Sequence, residues 1–406
     1  MAAWHFEPEK PVPPPAAKPA TPAQNQGGSL FYGLGIAPKI LEILNRLSFV
    51  TPTPIQHKAI PIAIEGKDVV GVAQTGTGKT LAFAIPVIQR LAQPRGKCLV
   101  LVPTRELAIQ VDETFRKIAP AFGLQTVVLI GGAPMQPQIQ GLRRNPRILI
   151  ATPGRLIDHI EHGTVILADA GILVLDEADR MLDMGFMPQI NEILKFVPRQ
   201  RQTMLFSATI PDTILKIATA HMKLPIHIEV APSGSTAENV VQELFIVSRD
   251  DKKQLLGKLL KQYHGSVLLF TRTKIGARKV ARMLKGMNHS AAEIHSDRTL
   301  GQRKEALEGF KTGRHRILVA TDIAARGIDV AGIELVINYD LPEDAENYVH
   351  RIGRTARAGQ GGRAISFAMP DQGPDVKNIE KLIKSAIPVS EHPELPRGKF
   401  VEGSDS

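Results

Sequence analysis

The chain has 406 residues, of which 43% are hydrophobic, 22% charged and 5% aromatic, with a formal net charge of +10 and a pI near 9.6. That length suits two domains, or three. A single cysteine, Cys98, excludes a disulfide framework or a cysteine-rich zinc site, and no apolar run reaches the ~18–20 residues of a membrane span. No basic segment followed by an apolar one opens the chain, so no leader is expected, and the setting should be reducing and cytoplasmic. Residues 1–234 hold 23 Lys and Arg against 18 Asp and Glu, and residues 235–406 hold 27 against 22. A basic excess shared by both halves suits a polyanionic partner gripped by both, and equally a generic solvated surface.

Residues 1–28 carry seven prolines and little that could be buried, and read as a disordered tail. Order is expected from Ser29. Pro38–Leu47 has apolar residues at helical spacing. Asp68–Val72, Cys98–Val102, Thr126–Ile130, Arg147–Ala151, Gly171–Asp176 and Gln202–Phe206 read as strands of a first domain spanning 29–229. Their apolar runs lack clean alternation, as in a parallel sheet covered on both faces. Residues 230–237 read as a linker. A second domain, 238–390, then repeats the pattern. A helix shows Leu255, Leu256, Leu259, Leu260 and Tyr263 on one face, and Ser266–Thr271, Ile317–Thr321, Glu334–Asn338 and Arg363–Phe367 read as strands. Residues 391–406 read as a short flexible tail. Two successive βαβ domains are the economical α/β architecture.

Ala73-Gln74-Thr75-Gly76-Thr77-Gly78-Lys79-Thr80 follows a strand and precedes a helical pattern, the setting of a phosphate-binding loop. Its glycines let backbone N–H groups approach phosphates at a helix N-terminus. Lys79 should reach the β/γ-phosphates of ATP and Thr80 should ligate Mg²⁺. Ile172-Leu173-Val174-Leu175 runs into Asp176-Glu177-Ala178-Asp179. At the carboxyl end of its strand Asp176 can hold the Mg²⁺ shell, and Glu177 can orient and deprotonate the attacking water. Gln56 can pair with an adenine edge or cap a turn, and Phe49 can stack on the ring. Arg351, Arg354 and Arg357 recur at i, i+3 and i+6. On a helical turn they would share one face, either an arginine finger or a solvated basic face.

These motifs, in this order, resemble the DEAD-box ATP-dependent RNA helicases, with the general look of the bacterial branch. The resemblance spans about Phe31 to Met369. It implies two tandem RecA-like domains, each a parallel sheet flanked by helices. It implies ATP and Mg²⁺ as cofactors. The partner would be RNA, single-stranded or a short duplex held without regard to sequence. Pro52–Gln56, with Phe49 and the upstream Phe31, resembles the adenine-recognition motif. The resemblance puts Gly327 and Asp329 beside the nucleotide and has Arg354 and Arg357 touch the γ-phosphate. It assigns coupling of hydrolysis to strand separation to Asp179, Ser207, Thr209 and His350. It assigns RNA contacts to Pro103, Thr104, Arg105, Gly131, Gly132, Thr152, Pro153, Gly154 and Arg155 in domain one. In domain two they are Arg272, Arg303, Thr321 and Asp322. Three residues depart from the family: Ala356 for Gly, Leu300 for the Gln of Gln-x-x-Arg, and Ser296 in place of Gly. A monomer is expected, acting on ribosomal precursors or with RNA-degradation partners, with no membrane role. An ATP-gated RNA clamp or annealing factor and a DNA translocase are the competing readings.

Overall fold

The computed structural model describes residues 30–74, 76–93, 96–230, 240–325, 333–355, 362–394 and 398–401. The expected tail 1–28 and linker residues 231–237 lie outside them.

Seven short strands build the first sheet: β1 (Val69–Val72), β2 (Cys98–Leu101), β3 (Thr126–Leu129), β4 (Ile148–Ala151), β5 (Ile172–Leu175), β6 (Gln202–Ser207) and β7 (Ile226–Glu229). Their order is β3-β4-β2-β5-β6-β1-β7, and every pairing is parallel. Every residue of β1, β2, β4, β5 and β6 is buried. Helices cover both faces, so the strands read as unbroken apolar runs. One face packs Val69, Val100 and Phe206 and the other Val70, Leu99 and Leu205, the period of two that a strand imposes. Pro38–Arg46 forms the expected helix and buries Ile40, Leu41, Ile43 and Leu44.

The second sheet holds β8 (Val240–Ile246), β9 (Val267–Phe270), β10 (Ala291–Ile294), β11 (Ile317–Ala320), β12 (Leu335–Asn338) and β13 (Gly362–Ala368) in the order β10-β11-β9-β12-β13-β8. It too is parallel throughout. Two tandem RecA-like α/β domains result, as the resemblance implies. The β7, β8 and β10 strands are additional to those read from sequence.

The expected tail is in part held on the second domain. Val401 N donates to Pro370 O at 2.9 Å, and Phe400 packs on the core. The apolar ring of Phe400 gains by leaving water, which supplies the reason.

In each sheet the functional loops leave the carboxyl ends of the strands, where open parallel sheets place their ligands. Adjacent β5, β6 and β1 end at Asp176, Ser207 and the loop from Ala73, respectively.

Candidate active site

The loop after β1 is tied to its neighbours by the backbone. Ala73 N donates to Ser207 O at 2.9 Å, and Thr77 Oγ1 donates to Gln74 O at 2.7 Å. Gly78 has φ +84, and a Cβ there would sit 2.3 Å from Gln56 Nε2, so only glycine fits both the turn and the close approach. Helix Lys79–Leu91 starts directly after it, aiming its positive end at the loop. Lys79 is 6% exposed and its Nζ has no hydrogen-bond partner among the described residues. A buried, unpartnered ammonium above a glycine cradle fits the phosphates of ATP. Thr75 lies outside the described residues.

Gln56 is buried and already employed. Its Oε1 accepts from Thr53 N and its Nε2 donates to Gly78 O, each at 2.9 Å. The turn-capping amide is therefore real, and it fixes the side chain with one N–H and one lone pair still available.

The carboxylates after β5 are buried together. Asp176 is 2% exposed; burial pushes its carboxyl up to about 7, against the pull of Lys79. A cation beside it would restore the charge, so Asp176 fits Mg²⁺ ligation. Glu177 adopts φ +52, ψ +51, a strained conformation for a non-glycine residue, costing about 1–3 kcal/mol. Its Oε2 accepts from Arg180 Nη1 at 2.8 Å, with the two side chains 5% and 1% exposed. Asp179 accepts from Ala208 N at 2.9 Å, Thr209 N at 3.0 Å and Thr209 Oγ1 at 3.3 Å. Its own N–H donates to Ser207 Oγ at 3.2 Å. Burial would raise the Asp179 carboxyl, but Lys79, Arg180, His350 and the Thr209 N–H hold it below the ordinary range. The β5 and β6 termini are thus one network, with His350 of the second domain close enough to act on it.

A cleft gathers Phe49, Gly76, Gly78, Lys79, Thr80, Asp176 and Glu177 with Lys311 and Arg354 of the second domain. Phe31 is elsewhere: it is 1% exposed within the first core, because its ring completes the packing around helix Pro38–Arg46. The single arginine face is also not found. Helix Ala345–Ile352 ends before Arg354, so the helical spacing lapses. Arg351 turns inward, 1% exposed, and grips Asp322 through Nε at 2.6 Å and Nη2 at 2.7 Å. Arg354 alone of the described pair lines the cleft. Gly327, Asp329, Ala356 and Arg357 lie outside the described residues.

A second cleft joins Pro103, Thr104, Arg105, Gly131, Thr152, Gly154 and Arg155 to Ser296 and Arg303 of domain two. Thr104 Oγ1 accepts from Leu107 N at 3.2 Å and caps helix Arg105–Ile118. Gly132 has φ +69, and a Cβ there would lie 2.0 Å from Arg105 Nη1, so the glycine pair makes room for that guanidinium. Pro153 opens helix Pro153–Glu161. Arg155 Nη1 donates to Ala133 O at 3.0 Å and holds the two loops together. Arg272 is exposed and donates from Nη2 to Leu341 O at 3.3 Å. Thr321 is half-buried beside it on the carboxyl end of β11. Asp322 is held by Arg351 through two parallel N–H donors, and its side chain remains 23% exposed. Sequence reasoning passed over Glu106, which faces Arg303 with Oε2–Nη2 at 2.9 Å, both side chains below 10% exposed. It also passed over Arg180 and Lys311. Glu106 and Arg180 lie inside or next to the quoted motifs, which was the only available signal. Leu300 packs on the first domain's core, an apolar contact where the family has an amide.

Residues 53–217 match the DEAD/DEAH box helicase family and residues 251–359 the helicase conserved C-terminal domain. The chain is 44% identical over 367 residues to the ATP-dependent rRNA helicase RRP3 of Debaryomyces hansenii, covering 89% of this chain and 77% of that protein. It is also 44% identical over 342 residues to RRP3 of Yarrowia lipolytica, covering 83% and 71%. Among solved structures it resembles S. cerevisiae Dbp5 bound to RNA and ADP BeF3, with TM-score 0.78 and 28% identity over 89% of this chain and 96% of that one. The DEAD-box helicase Mss116 bound to ssRNA and UDP-BeF aligns with TM-score 0.81 and 29% identity, covering 90% and 80%. With its nucleotide loop, acidic strand end and second-domain arginine meeting in one cleft, the chain belongs to the DEAD-box ATP-dependent RNA helicases.

Proposed function

We propose that the chain binds single-stranded RNA across both domains and uses ATP hydrolysis to separate short duplexes or remodel RNA–protein complexes. The observation that carries this reading is the composition of the two clefts. Lys79, Asp176 and Glu177 share one with Arg354 of the other domain, and residues of both domains line the second. In the first, Lys79 and the loop amides hold the phosphates, Gln56 and Phe49 hold the base, and Thr80 with Asp176 would hold Mg²⁺. That ion, when bound, offsets the charge of the β- and γ-phosphates. Glu177 takes a proton from the attacking water as its oxygen bonds the γ-phosphorus and the bond to the bridging oxygen breaks, leaving ADP. Arg354 meets the charge developing on the transferred group. Asp179, Ser207, Thr209 and His350 carry the state of this site to the second cleft.

In that cleft Arg105, Arg155 and Arg303 contact the RNA backbone, with Arg272 of the second domain outside its lining as a further contact, which gives grip without sequence preference. Domains 29–229 and 238–390 act as a monomer that closes on both ligands, a two-state equilibrium biased by each. Relatives named rRNA helicases favour ribosomal precursors as the substrate, and so a site of ribosome assembly over the cytoplasm at large. The test is ATPase activity with RNA, with matched DNA and with neither, beside strand separation of a short RNA duplex. RNA-specific stimulation with ATP-dependent separation is expected. Stimulation without separation would favour the clamp, and equal stimulation by DNA the translocase.

A further inference from the structure

We propose that the outer face of helix Lys274–Gly286 is a further phosphate-backbone site, taking RNA that runs out of the cleft between the domains. The inference rests on the RNA-binding reading above. The helix buries Ala277, Val280, Ala281 and Leu284 against the second sheet. Lys274, Arg278, Arg282 and Lys285 recur at steps of four, four and three on its exposed side, one stripe about 16 Å long at 1.5 Å per residue.

The stripe starts where the interdomain cleft ends. Loop 295–298 lies between the two: its Ser296 lines the cleft, while His295, Asp297 and Arg298 line a depression with Arg278, Arg282 and Lys285. Within that depression the His295 side chain is 1% exposed, and its Nε2, 3.7 Å from Glu293 Oε1, has no hydrogen-bond partner among the described residues. At the far end Lys285 and Arg314 are close enough to act on His315, whose imidazole is held below its usual pKa by burial and by these charges. A path richer in cations than in carboxylates therefore leaves the cleft, with Glu293 facing Arg298 and Asp297 facing Lys274 and Arg278.

Two of its members are lightly engaged. Lys274 and Arg278 reach Asp297 at 2.8 and 3.3 Å, with side chains 50% and 47% exposed. Such surface pairs contribute little and exchange readily for a phosphate. Arg282 and Lys285 have no ion-pair partner among the described residues. The stripe carries no exposed aromatic residue on which a base could stack, so the chemistry it recognises is the sugar–phosphate backbone. Continuity with an RNA cleft favours that ligand over an acidic protein.

The test uses the full chain and the double variant Arg282→Gln/Lys285→Gln. Affinity is measured across a salt series for a short oligouridylate, just long enough to stimulate hydrolysis, and for a long one. The variant should bind the long RNA several-fold more weakly, with the salt slope reduced by about 1.4 for two lost phosphate contacts at 0.7 each. Binding of the short RNA, its stimulation of hydrolysis and the melting temperature should stay unchanged. Unchanged affinity and slope for the long RNA would overturn the proposal and leave the face to a protein. So would equal losses on both lengths. If the unaltered chain bound neither RNA, the parent reading would fail as well.

Discussion

At the scale of single residues, Glu177 is held in a left-handed backbone conformation and gripped by the buried Arg180. Glu177→Gln keeps size and polarity but removes the proposed proton acceptor. Turnover should fall by orders of magnitude while ATP and RNA binding persist, as single-turnover hydrolysis beside equilibrium binding will show. Arg180 acts differently. Arg180→Met would leave a buried carboxylate without its counter-charge, a loss of about 3–5 kcal/mol, seen as a fall in melting temperature that Glu177→Gln in the same chain should largely reverse. Asp176 sets a pH dependence. Burial raises its carboxyl from 3.8 in the unfolded chain to about 7. Between those values the folded state binds the extra proton, so stability of the free protein is fullest below pH 4 for this group. It is lost as pH rises toward 7. Asp176→Asn should flatten that part of the melting-temperature profile. Nucleotide-bound divalent cation, which needs the ionised form, should bind progressively better up to the same pH.

At the scale of elements, helix Leu300–Lys311 is one part of domain two that docks on domain one, through Leu300 and the Arg303–Glu106 pair. Leu300→Asp places a charge against an apolar core and should weaken closure. The RNA concentration for half-maximal stimulation should rise several-fold, with little change in the melting temperature of either domain. A large fall in melting temperature instead would mean that Leu300 belongs to domain two's own packing. The elements differ in how far the sequence reveals them. Strands β1, β2, β4, β5 and β6 are buried on both faces and spell unbroken apolar runs. The strands that escaped notice are all at sheet edges. Ile226–Glu229 carries His227 and Glu229, Val240–Ile246 carries Gln242 and Glu243, and Ala291–Ile294 carries Glu293. The first two are partly solvated, so their pattern blurs into that of a loop, whereas Ala291–Ile294 is buried throughout and its two alanines and glutamate spell no apolar run. The site divides in the same way. The phosphate loop and the Asp176–Asp179 run are local in sequence and could be read directly. The pairs Glu106–Arg303 and Arg351–Asp322 are made by tertiary packing, so sequence supplied their members without their pairing. The spacing of Arg351 and Arg354 misled because the helix stops at Ile352, which sends one guanidinium inward and leaves the other on the cleft.

At the scale of the molecule, the proposed catalytic cleft is divided between two separately cored domains. The phosphate loop and carboxylates belong to the first and Arg354 to the second, where it is 3% exposed with the domains together. Hydrolysis should therefore depend on whatever holds the domains closed. Without RNA the rate should be low, and saturating RNA should raise it; a high rate indifferent to RNA would show that closure needs no second ligand. Arg354→Ala tests the same division from the other side. When the domains part, Arg354 leaves the phosphates, so it adds little to ground-state affinity for ATP. When they close, it faces the oxygens of the transferred group, where charge grows as the bond to ADP breaks, and its stabilisation belongs to the transition state. An arginine supplied in this way contributes about 10³–10⁵ in rate. The alanine variant should lose RNA-stimulated turnover by a comparable factor with ATP affinity nearly unchanged. Arg354→Lys should recover only part of the rate, because an ammonium lacks the planar fork that meets two phosphate oxygens at once. Lost ATP affinity with normal turnover at saturating ATP would instead make Arg354 a ground-state binder, and the source of RNA dependence would lie elsewhere in the closed form.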